Sequence, residues 1–160
     1  MIALAISSCA NAAERAESMG ATHVIQILGP RDNAEFPDLG LPSLRLLFDD
    51  ANSYFNDDVQ VPTLRDVSAV VRFGRSIPDG SRVLVHCGLG RSRCAAVALI
   101  LLATRIADED DAVDALMRFA PNAHPNSLVI ELADKYLGRN GLLSRAATRP
   151  TKATSVMVAA

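Results

Sequence analysis

The stretch from residue 83 to residue 103 constrains this chain most, because it joins a buried strand to a helix through a loop with two glycines. Residues 83–86 are mostly apolar and β-branched, Cys87 follows, and residues 95–103 form an alanine- and leucine-rich helical pattern. Gly88 and Gly90 can turn successive N–H groups toward an anion. A helix N-terminus adds unpaired N–H groups and a partial positive charge. The segment therefore predicts a loop that binds a tetrahedral oxyanion, and we call residues 87–93 the anion loop.

Two side chains give the anion loop its expected chemistry. In the field of a helix N-terminus, Cys87 should have a lowered pKa and exist largely as the nucleophilic thiolate. Arg93, six positions later, carries a planar fork that holds two phosphate oxygens. The ordinary alternatives are that Cys87 is a buried structural cysteine and that Arg93 is a solvated surface arginine. Because both residues lie in one loop, we favour a nucleophilic role for Cys87 and a phosphate-holding role for Arg93. The backbone N–H groups expected to face the anion belong to Gly88, Leu89, Gly90, Arg91, Ser92 and Arg93.

The pattern His86-Cys87-x-x-Gly90-x-x-Arg93 resembles the signature loop of cysteine-dependent protein tyrosine phosphatases. Its position past mid-chain is similar to the compact dual-specificity type. Weaker similarity to a bacterial group of predicted tyrosine phosphatases covers residues 44–50, 121–126 and 132–138. The resemblance implies a phosphatase domain over residues 1–138, a cysteinyl-phosphate intermediate, a phosphorylated protein or peptide as substrate, and no cofactor. It also implies that a phosphate or sulfate ion binds in the anion loop.

The resemblance extends to supporting residues around the loop. It implies that His86 supports the loop by hydrogen bonding and helps to hold the thiolate. It implies that Asn126 pins the loop, although a helix N-cap explains this asparagine equally well. The family usually has Ser or Thr after the arginine, but this chain has Cys94, whose thiol is a weaker donor. Cys94 therefore predicts a slow second step or a disulfide with Cys87. Ser92 either contacts the anion or starts the helix, and Arg91 is either a substrate-recruiting or a plain surface charge.

A departing phenolate or alkoxide needs a proton, so a carboxylic acid must reach the anion loop from elsewhere. Asp50 is the chosen acid, because it follows a strand expected to run parallel to the strand that delivers Cys87. Asp49 is the close competitor, and Asp57 or Asp58 in the next loop remain alternatives. The ordinary interpretation of each is a turn or capping aspartate.

The order of predicted elements gives the fold class. Strands are expected over residues 2–6, 23–28, 44–48 and 82–86, and helices over 11–19, 62–73, 95–103, 108–119 and 126–137. This alternation predicts an α/β fold, with a central mostly parallel sheet flanked by helices, similar to that of protein tyrosine phosphatases. The 160 residues are expected to form one domain, with residues 139–160 as a mobile or loosely packed tail.

The composition of the chain limits the classes of binding partner and the cellular compartment that we expect. A net charge of −2 gives no reason to expect nucleic acid or membrane partners, and no apolar run has the length of a membrane span. Three scattered cysteines argue against a secreted disulfide framework, and the apolar first six residues are too short for a signal peptide. The cytoplasm is the expected location. No cluster of His, Cys or acidic residues has metal-ligand spacing, so no metal is expected.

Three other functions fit parts of the pattern. A pseudophosphatase would bind phosphorylated partners without hydrolysing them, in agreement with Cys94. A rhodanese-like sulfurtransferase also places a cysteine before a helix, and an arsenate reductase is disfavoured by the position of the loop. The substrate stays open among phosphotyrosine, phosphoserine or phosphothreonine, a phosphoinositide and an RNA 5′-phosphate. The low aromatic content of 4% favours a shallow cleft, unless Phe36, Phe48 or Tyr54 lines a deeper one.

Overall fold

A computed structural model describes residues 1–54 and 57–150 and has the expected α/β architecture. The strands and helices, in chain order, are β1 Ala3–Ser8, α1 Ala12–Met19, β2 His23–Leu28, β3 Ser43–Leu47, α2 Leu64–Ser76, β4 Arg82–Cys87, α3 Arg93–Ala103, α4 Glu109–Phe119, α5 Ser127–Leu137 and α6 Leu142–Ala147, with a 3₁₀ turn at Pro30–Asp32. In the described part of the chain, no helix is both long and apolar enough to cross a membrane.

The four strands form one parallel sheet in the order β1-β4-β2-β3. The prediction of a mostly parallel central sheet is therefore confirmed. β4 lies between β1 and β2, with Ser8 opposite Cys87 and Gln26 opposite His86. Because all four strands run in the same direction, their carboxyl ends open at one edge of the sheet, where ligands bind in such folds.

Helices cover both faces of the sheet. On one face, α1 packs small residues such as Ala12 and Ala16 against Leu84 and its neighbours. The other face carries the main core, and α3 lies in its middle with every residue buried. A helix that is apolar on all sides is stable only when other elements surround it, and here α2, α4 and α5 do so. The start of α3, and with it Arg93, is therefore fixed by the core.

The chain after Gly138 differs from the expected loose tail. Leu143 and Ala146 of α6 are buried in the main core. The carboxylate of Asp134 accepts hydrogen bonds from the N–H of Leu143 at 3.0 Å and of Ser144 at 2.9 Å, which holds the start of α6. Residues 142–147 are thus part of the domain. They give only a short helical pattern after a glycine stop, which explains why the sequence underestimates them, and residues 151–160 lie outside the described part.

Candidate active site

The anion loop connects the central strand β4 to the buried helix α3. Cys87 ends β4 and is only 2% exposed. Gly90 has a left-handed backbone at φ +77°, and its N–H donates a hydrogen bond to Cys87 Sγ at 3.3 Å. A side chain at Gly90 would overlap the backbone of Ser7 and Ser8 at the end of β1. The loop curls around the Cys87 sulfur because glycine permits both the turn and the close approach.

Hydrogen bonding makes Cys87 an acidic thiol. The Cys94 thiol donates to Cys87 Sγ, and this is the largest cause that lowers the pKa of Cys87 from 9.0 to about 6. Burial opposes the shift, whereas the backbone N–H groups of Cys94 and Gly90 and the charge of Arg93 add to it. The same hydrogen bond, together with burial, raises the pKa of Cys94. At neutral pH Cys87 is therefore the thiolate of this pair and Cys94 is its neutral donor.

Arg93 is held by two acceptors that come from different loops. Its Nη1 and Nη2 atoms bind the two carboxylate oxygens of Asp32 at 2.6 and 2.7 Å. Nη1 also donates to the backbone oxygen of Phe48 at 3.0 Å. The Nε atom is buried and has no hydrogen-bond partner among the described residues. Because buried donors are normally paired, the unpaired Nε marks the edge of the guanidinium that suits an anionic ligand.

Asp32 is not among the predicted site residues, yet it makes the closest contact with Arg93. It ends the 3₁₀ turn that follows β2, and its Oδ2 accepts the Gly29 N–H at 2.6 Å. Burial opposes ionisation, but the hydrogen bonds from Arg93 and Gly29 and the charge of Arg93 lower the pKa of Asp32. The parallel-sheet argument that selects Asp50 in the loop after β3 applies equally to the turn after β2, and this signal could have found Asp32.

Asp50, the predicted acid, lies beside the anion loop. Its Oδ1 accepts hydrogen bonds from Ser92 Oγ at 2.7 Å and from Asn126 Nδ2 at 2.8 Å. Asn126 also donates to the backbone oxygen of Ala51 at 2.9 Å, and its Oδ1 caps α5 by accepting the Val129 N–H at 3.1 Å. The N-cap interpretation of Asn126 describes a contact that the structure contains. The Asn126 amide nitrogen binds the segment after β3, and its role in pinning the anion loop stays a prediction. Ser92 contacts Asp50 through its hydroxyl.

Asp49 occupies a different environment from Asp50. It is 3% exposed, whereas Asp50 lies at the surface. Its two carboxylate oxygens accept the backbone N–H groups of Arg31 and Gln60, each at 2.9 Å. A carboxylate with both oxygens held by backbone donors serves as a scaffold. Asp57 and Asp58 are exposed and do not line the cavity described next.

A cavity of about 330 Å³ opens in front of Arg93. Arg31, Asp32 and Asp50 line it together with Leu89, which is 82% exposed at the tip of the anion loop. Among the described residues, its lining contains no aromatic ring. Of the three aromatic side chains proposed to line a deeper cleft, Phe48 is fully buried in the core, Phe36 lies under the Arg45 guanidinium, and Tyr54 is 45% exposed.

Comparison with known proteins identifies the fold. No protein-family model matches the sequence, and no curated protein matches it. Solved structures do match. Human DUSP28 aligns with a TM-score of 0.66 at 22% identity over 86% of this chain and 92% of that protein. A mouse putative dual specificity phosphatase complexed with zinc tungstate aligns with a TM-score of 0.64 at 21% identity, over 91% of this chain and 86% of that protein. Human tyrosine phosphatase-like serine/threonine/tyrosine-interacting protein aligns with a TM-score of 0.64 at 21% identity, over 86% of this chain and 92% of that protein. The chain has the protein tyrosine phosphatase-like fold.

In this phosphatase-like fold, strand alternation places His86 on the face of β4 that carries Leu84, opposite the face of Cys87. The ring is fully buried, and burial lowers its pKa to about 4, so the imidazole is neutral at physiological pH. Neither ring nitrogen has a hydrogen-bond partner among the described residues. The expected role of His86 in supporting the anion loop stays a prediction. In the same described part, no group of three or more His, Cys, Asp or Glu side chains is placed to hold a metal ion.

Arg91 stays at the surface of the anion loop. Its side chain is exposed, while its backbone oxygen accepts the His124 N–H at 3.0 Å. The backbone oxygen of Ser92 accepts the Asn126 N–H at 3.2 Å in the same way. The segment before α5 therefore braces the far side of the anion loop. The structure leaves the Arg91 guanidinium available to contact anionic groups outside the cavity.

Proposed function

We propose that this chain is a phosphatase that hydrolyses phosphomonoesters of proteins through a cysteinyl-phosphate intermediate. Phosphotyrosine is the proposed substrate group, with phosphoserine and phosphothreonine as further substrates. The observation that carries the proposal is the juxtaposition of two groups. Cys87 is a thiol whose pKa is lowered to about 6, and Arg93 is a buried arginine whose Nε has no partner in the part of the chain that the structure describes. A thiolate next to an anion-binding edge is what nucleophilic attack on a phosphoryl group requires.

In the proposed first step, the Cys87 thiolate attacks phosphorus in line with the leaving oxygen. The new S–P bond forms as the P–O bond breaks, and Asp50 donates a proton to the departing oxygen. The N–H groups of the anion loop and the Nε edge of Arg93 stabilise the equatorial phosphoryl oxygens. In the second step Asp50 takes a proton from water, the water oxygen attacks phosphorus, and the S–P bond breaks to return the Cys87 thiolate and inorganic phosphate.

The contacts around Asp50 support its role as the acid. Ser92 and Asn126 hold one carboxylate oxygen beside the anion loop, and this leaves Oδ2 to face the substrate. Asp49 has no oxygen left for that purpose, because both accept backbone N–H groups. The thiol of Cys94 stands where a hydroxyl would be the stronger donor to the Cys87 leaving group, so the second step is proposed to limit turnover.

The test is hydrolysis of para-nitrophenyl phosphate by the full chain and by two cysteine variants. Cys87→Ser should abolish hydrolysis, because a serine hydroxyl is not ionised at neutral pH. Cys9→Ser is the matched control, since Cys9 is a half-buried thiol whose backbone contacts the anion loop at Gly88, and it should keep wild-type activity. Activity retained in Cys87→Ser would refute the assignment of the nucleophile.

A second candidate function is a pseudophosphatase that binds phosphorylated proteins without turnover. Cys94 favours it, and one structural neighbour is named as a phosphatase-like interacting protein. A phosphopeptide that binds the wild type and is not hydrolysed over hours would select this alternative. The similarity to bacterial predicted tyrosine phosphatases, the cytoplasmic location, the absence of nucleic-acid partners and the anion in the loop stay predictions.

A further inference from the structure

Cys94 gives the anion loop a second sulfur, which the hydrolysis of an ester does not require. It is the second residue of α3 and is 0% exposed, in the middle of the main core. Both its thiol and its backbone N–H donate to Cys87 Sγ. Because every residue of α3 is buried, Cys94 is held in this place by the core. The site therefore contains two cysteine sulfurs in direct contact.

Two thiols in contact can carry out chemistry that a single thiol cannot. When they join as a disulfide, they give up two electrons and two protons. Hydrolysis of a phosphate ester uses none of these electrons, because phosphorus stays pentavalent throughout. An oxyanion whose central atom accepts two electrons would use them. Arsenate has the tetrahedral shape and the charge of phosphate, and thiols reduce its arsenic(V) to arsenic(III).

The rest of the site suits arsenate for the same reasons that it suits phosphate. The N–H groups of the anion loop and the Nε of Arg93, which has no partner among the described residues, recognise an oxyanion by its shape and charge. Cys94 does not line the cavity in front of Arg93, so it contacts Cys87 from the core while an oxyanion approaches from the cavity. Displacement at sulfur proceeds in line. The attacking and leaving atoms would therefore lie on opposite sides of Cys87 Sγ.

We propose that this chain also reduces arsenate to arsenite, with Cys87 as the nucleophile and Cys94 as the second thiol. In the first step the Cys87 thiolate attacks arsenic, an S–As bond forms, an As–O bond breaks, and the oxygen leaves as water. In the second step the Cys94 sulfur attacks Cys87 Sγ, so that the S–S bond forms as the S–As bond breaks. The electron pair of the S–As bond stays on arsenic, which leaves as arsenite, and the Cys94 proton passes to an arsenite oxygen. Two thiols and one arsenate thus give one disulfide, one arsenite and one water.

This activity goes beyond the proposed hydrolysis and shares only its first step, the attack of Cys87 on a tetrahedral oxyanion. Thiols do not reduce phosphorus(V), so a cysteinyl-phosphate must wait for water. The Cys94 thiol, which is a weaker donor to the leaving Cys87 than a hydroxyl, serves the second step of the reduction as an attacking group. An added dithiol such as dithiothreitol reduces the Cys87–Cys94 disulfide and completes the cycle.

The test is a single turnover in which the reduced full chain, freed of added thiol, is mixed with arsenate. All three cysteines are free in the structure, so a colorimetric thiol titration should fall from three thiols per chain to one. One arsenite should be released per chain, and mass spectrometry of the digested product should find Cys87 bonded to Cys94. With dithiothreitol present, arsenite should accumulate over many turnovers, and inorganic phosphate should inhibit competitively.

Cys94→Ser is the key variant, because it keeps a donor of similar size at this place and removes the second sulfur. It should release no arsenite in the single turnover, and its hydrolysis of para-nitrophenyl phosphate shows that it is folded. Cys87→Ser should lose both activities. Cys9→Ser is the matched control, since the Cys9 thiol donates to the Glu35 backbone oxygen at 3.7 Å instead of to Cys87, and it should keep both activities.

The outcomes separate this inference from the proposed phosphatase. A wild type that hydrolyses para-nitrophenyl phosphate and releases no arsenite would overturn the inference and leave the phosphatase in place. Arsenite release by Cys94→Ser without added thiol, or a disulfide that joins Cys87 to Cys9, would overturn it as well. Arsenite release together with the Cys87–Cys94 disulfide, from a chain that hydrolyses no ester, would support the inference and refute the phosphatase. The disulfide is identified in the wild type, so this result does not depend on the folding of any variant.

Discussion

Replacing Cys94 tests the electrostatic basis of the site most directly. The Cys94 thiol is the largest single cause of the low pKa of Cys87, which stands at about 6 against 9.0 for an ordinary cysteine. A hydrogen bond to a charged acceptor contributes about 1.5–3 kcal/mol, and one pKa unit corresponds to about 1.4 kcal/mol. Cys94→Ala should therefore raise the pKa of Cys87 by about 1–2 units, to about 7–8.

The expected consequence at pH 7 follows from the thiolate fraction. At a pKa of about 6 roughly 90% of Cys87 is ionised at pH 7, and at a pKa of 7–8 the ionised fraction is about 10–50%. The second-order rate of alkylation by iodoacetamide at pH 7 should fall by about two- to tenfold. The full pH profile should shift to the right by the same 1–2 units, about the size of one charge-assisted hydrogen bond. The measurement is made in a Cys9→Ser background, so that Cys87 is the reactive thiol.

Cys94→Ser is the matched variant, since a hydroxyl occupies the same place and donates more strongly. It should keep the midpoint at or below about 6. It should also speed the second step, because the hydroxyl stabilises the leaving thiolate, and a pre-steady-state burst with para-nitrophenyl phosphate would become smaller. A Cys94→Ala midpoint that stays at about 6 would show that the backbone N–H groups and Arg93 alone set the acidity of Cys87.

Three further predictions concern the acid, the loop and the buried histidine. Asp50→Ala should reduce turnover of alkyl phosphates far more than of para-nitrophenyl phosphate, whereas Asp49→Ala should mainly lower the free energy of unfolding; the opposite pattern would exchange their roles. Gly90→Ala should destabilise the fold by more than about 2 kcal/mol in urea unfolding, and Gly80→Ala, at φ +84° with open space around it, only by about 1 kcal/mol. The pKa of His86 is 6.5 in the unfolded chain and about 4 in the folded protein. The free energy of unfolding should therefore fall by as much as about 3 kcal/mol as the pH drops from 6.5 to 4. His86→Leu should remove this pH dependence, and an unchanged slope in the variant would contradict the prediction.

The sequence predicts the local parts of this molecule well. The strand expected over residues 23–28 is observed with those bounds, and the anion loop lies between a strand and a helix as expected. These elements are set by periodicity and by glycine, which act over a few residues. The start of α2 shows a small error of the same kind. The helix begins after Thr63, whose N–H donates to Asp66 Oδ2 at 2.7 Å, and this capping box is a stronger start signal than Pro62.

Strand periodicity does not predict which of Asp49 and Asp50 is buried. Along β3 and the residues after it, Leu46 and Phe48 are buried and Leu47 is exposed, as a strand requires. Continued alternation would place Asp49 at the surface, but both Phe48 and Asp49 are buried and Asp50 is exposed. The backbone leaves the strand at this point because the Asp49 N–H donates to the Gln60 backbone oxygen at 2.7 Å. That contact depends on a loop that returns eleven residues later, and no local pattern encodes it.

Asn126 caps α5 and also binds a carboxylate that is distant in the sequence. An amide has an acceptor oxygen and two donor hydrogens, so one side chain can cap a helix and bind a carboxylate at the same time. Here the oxygen caps α5 and the nitrogen binds Asp50, 76 positions away in the chain. Its backbone N–H also binds the Ser92 oxygen in the anion loop. The start of α5 thus links Asp50 to the anion loop, as Asp32 links the turn after β2 to Arg93. The parallel sheet makes both links possible by bringing its carboxyl ends to one edge.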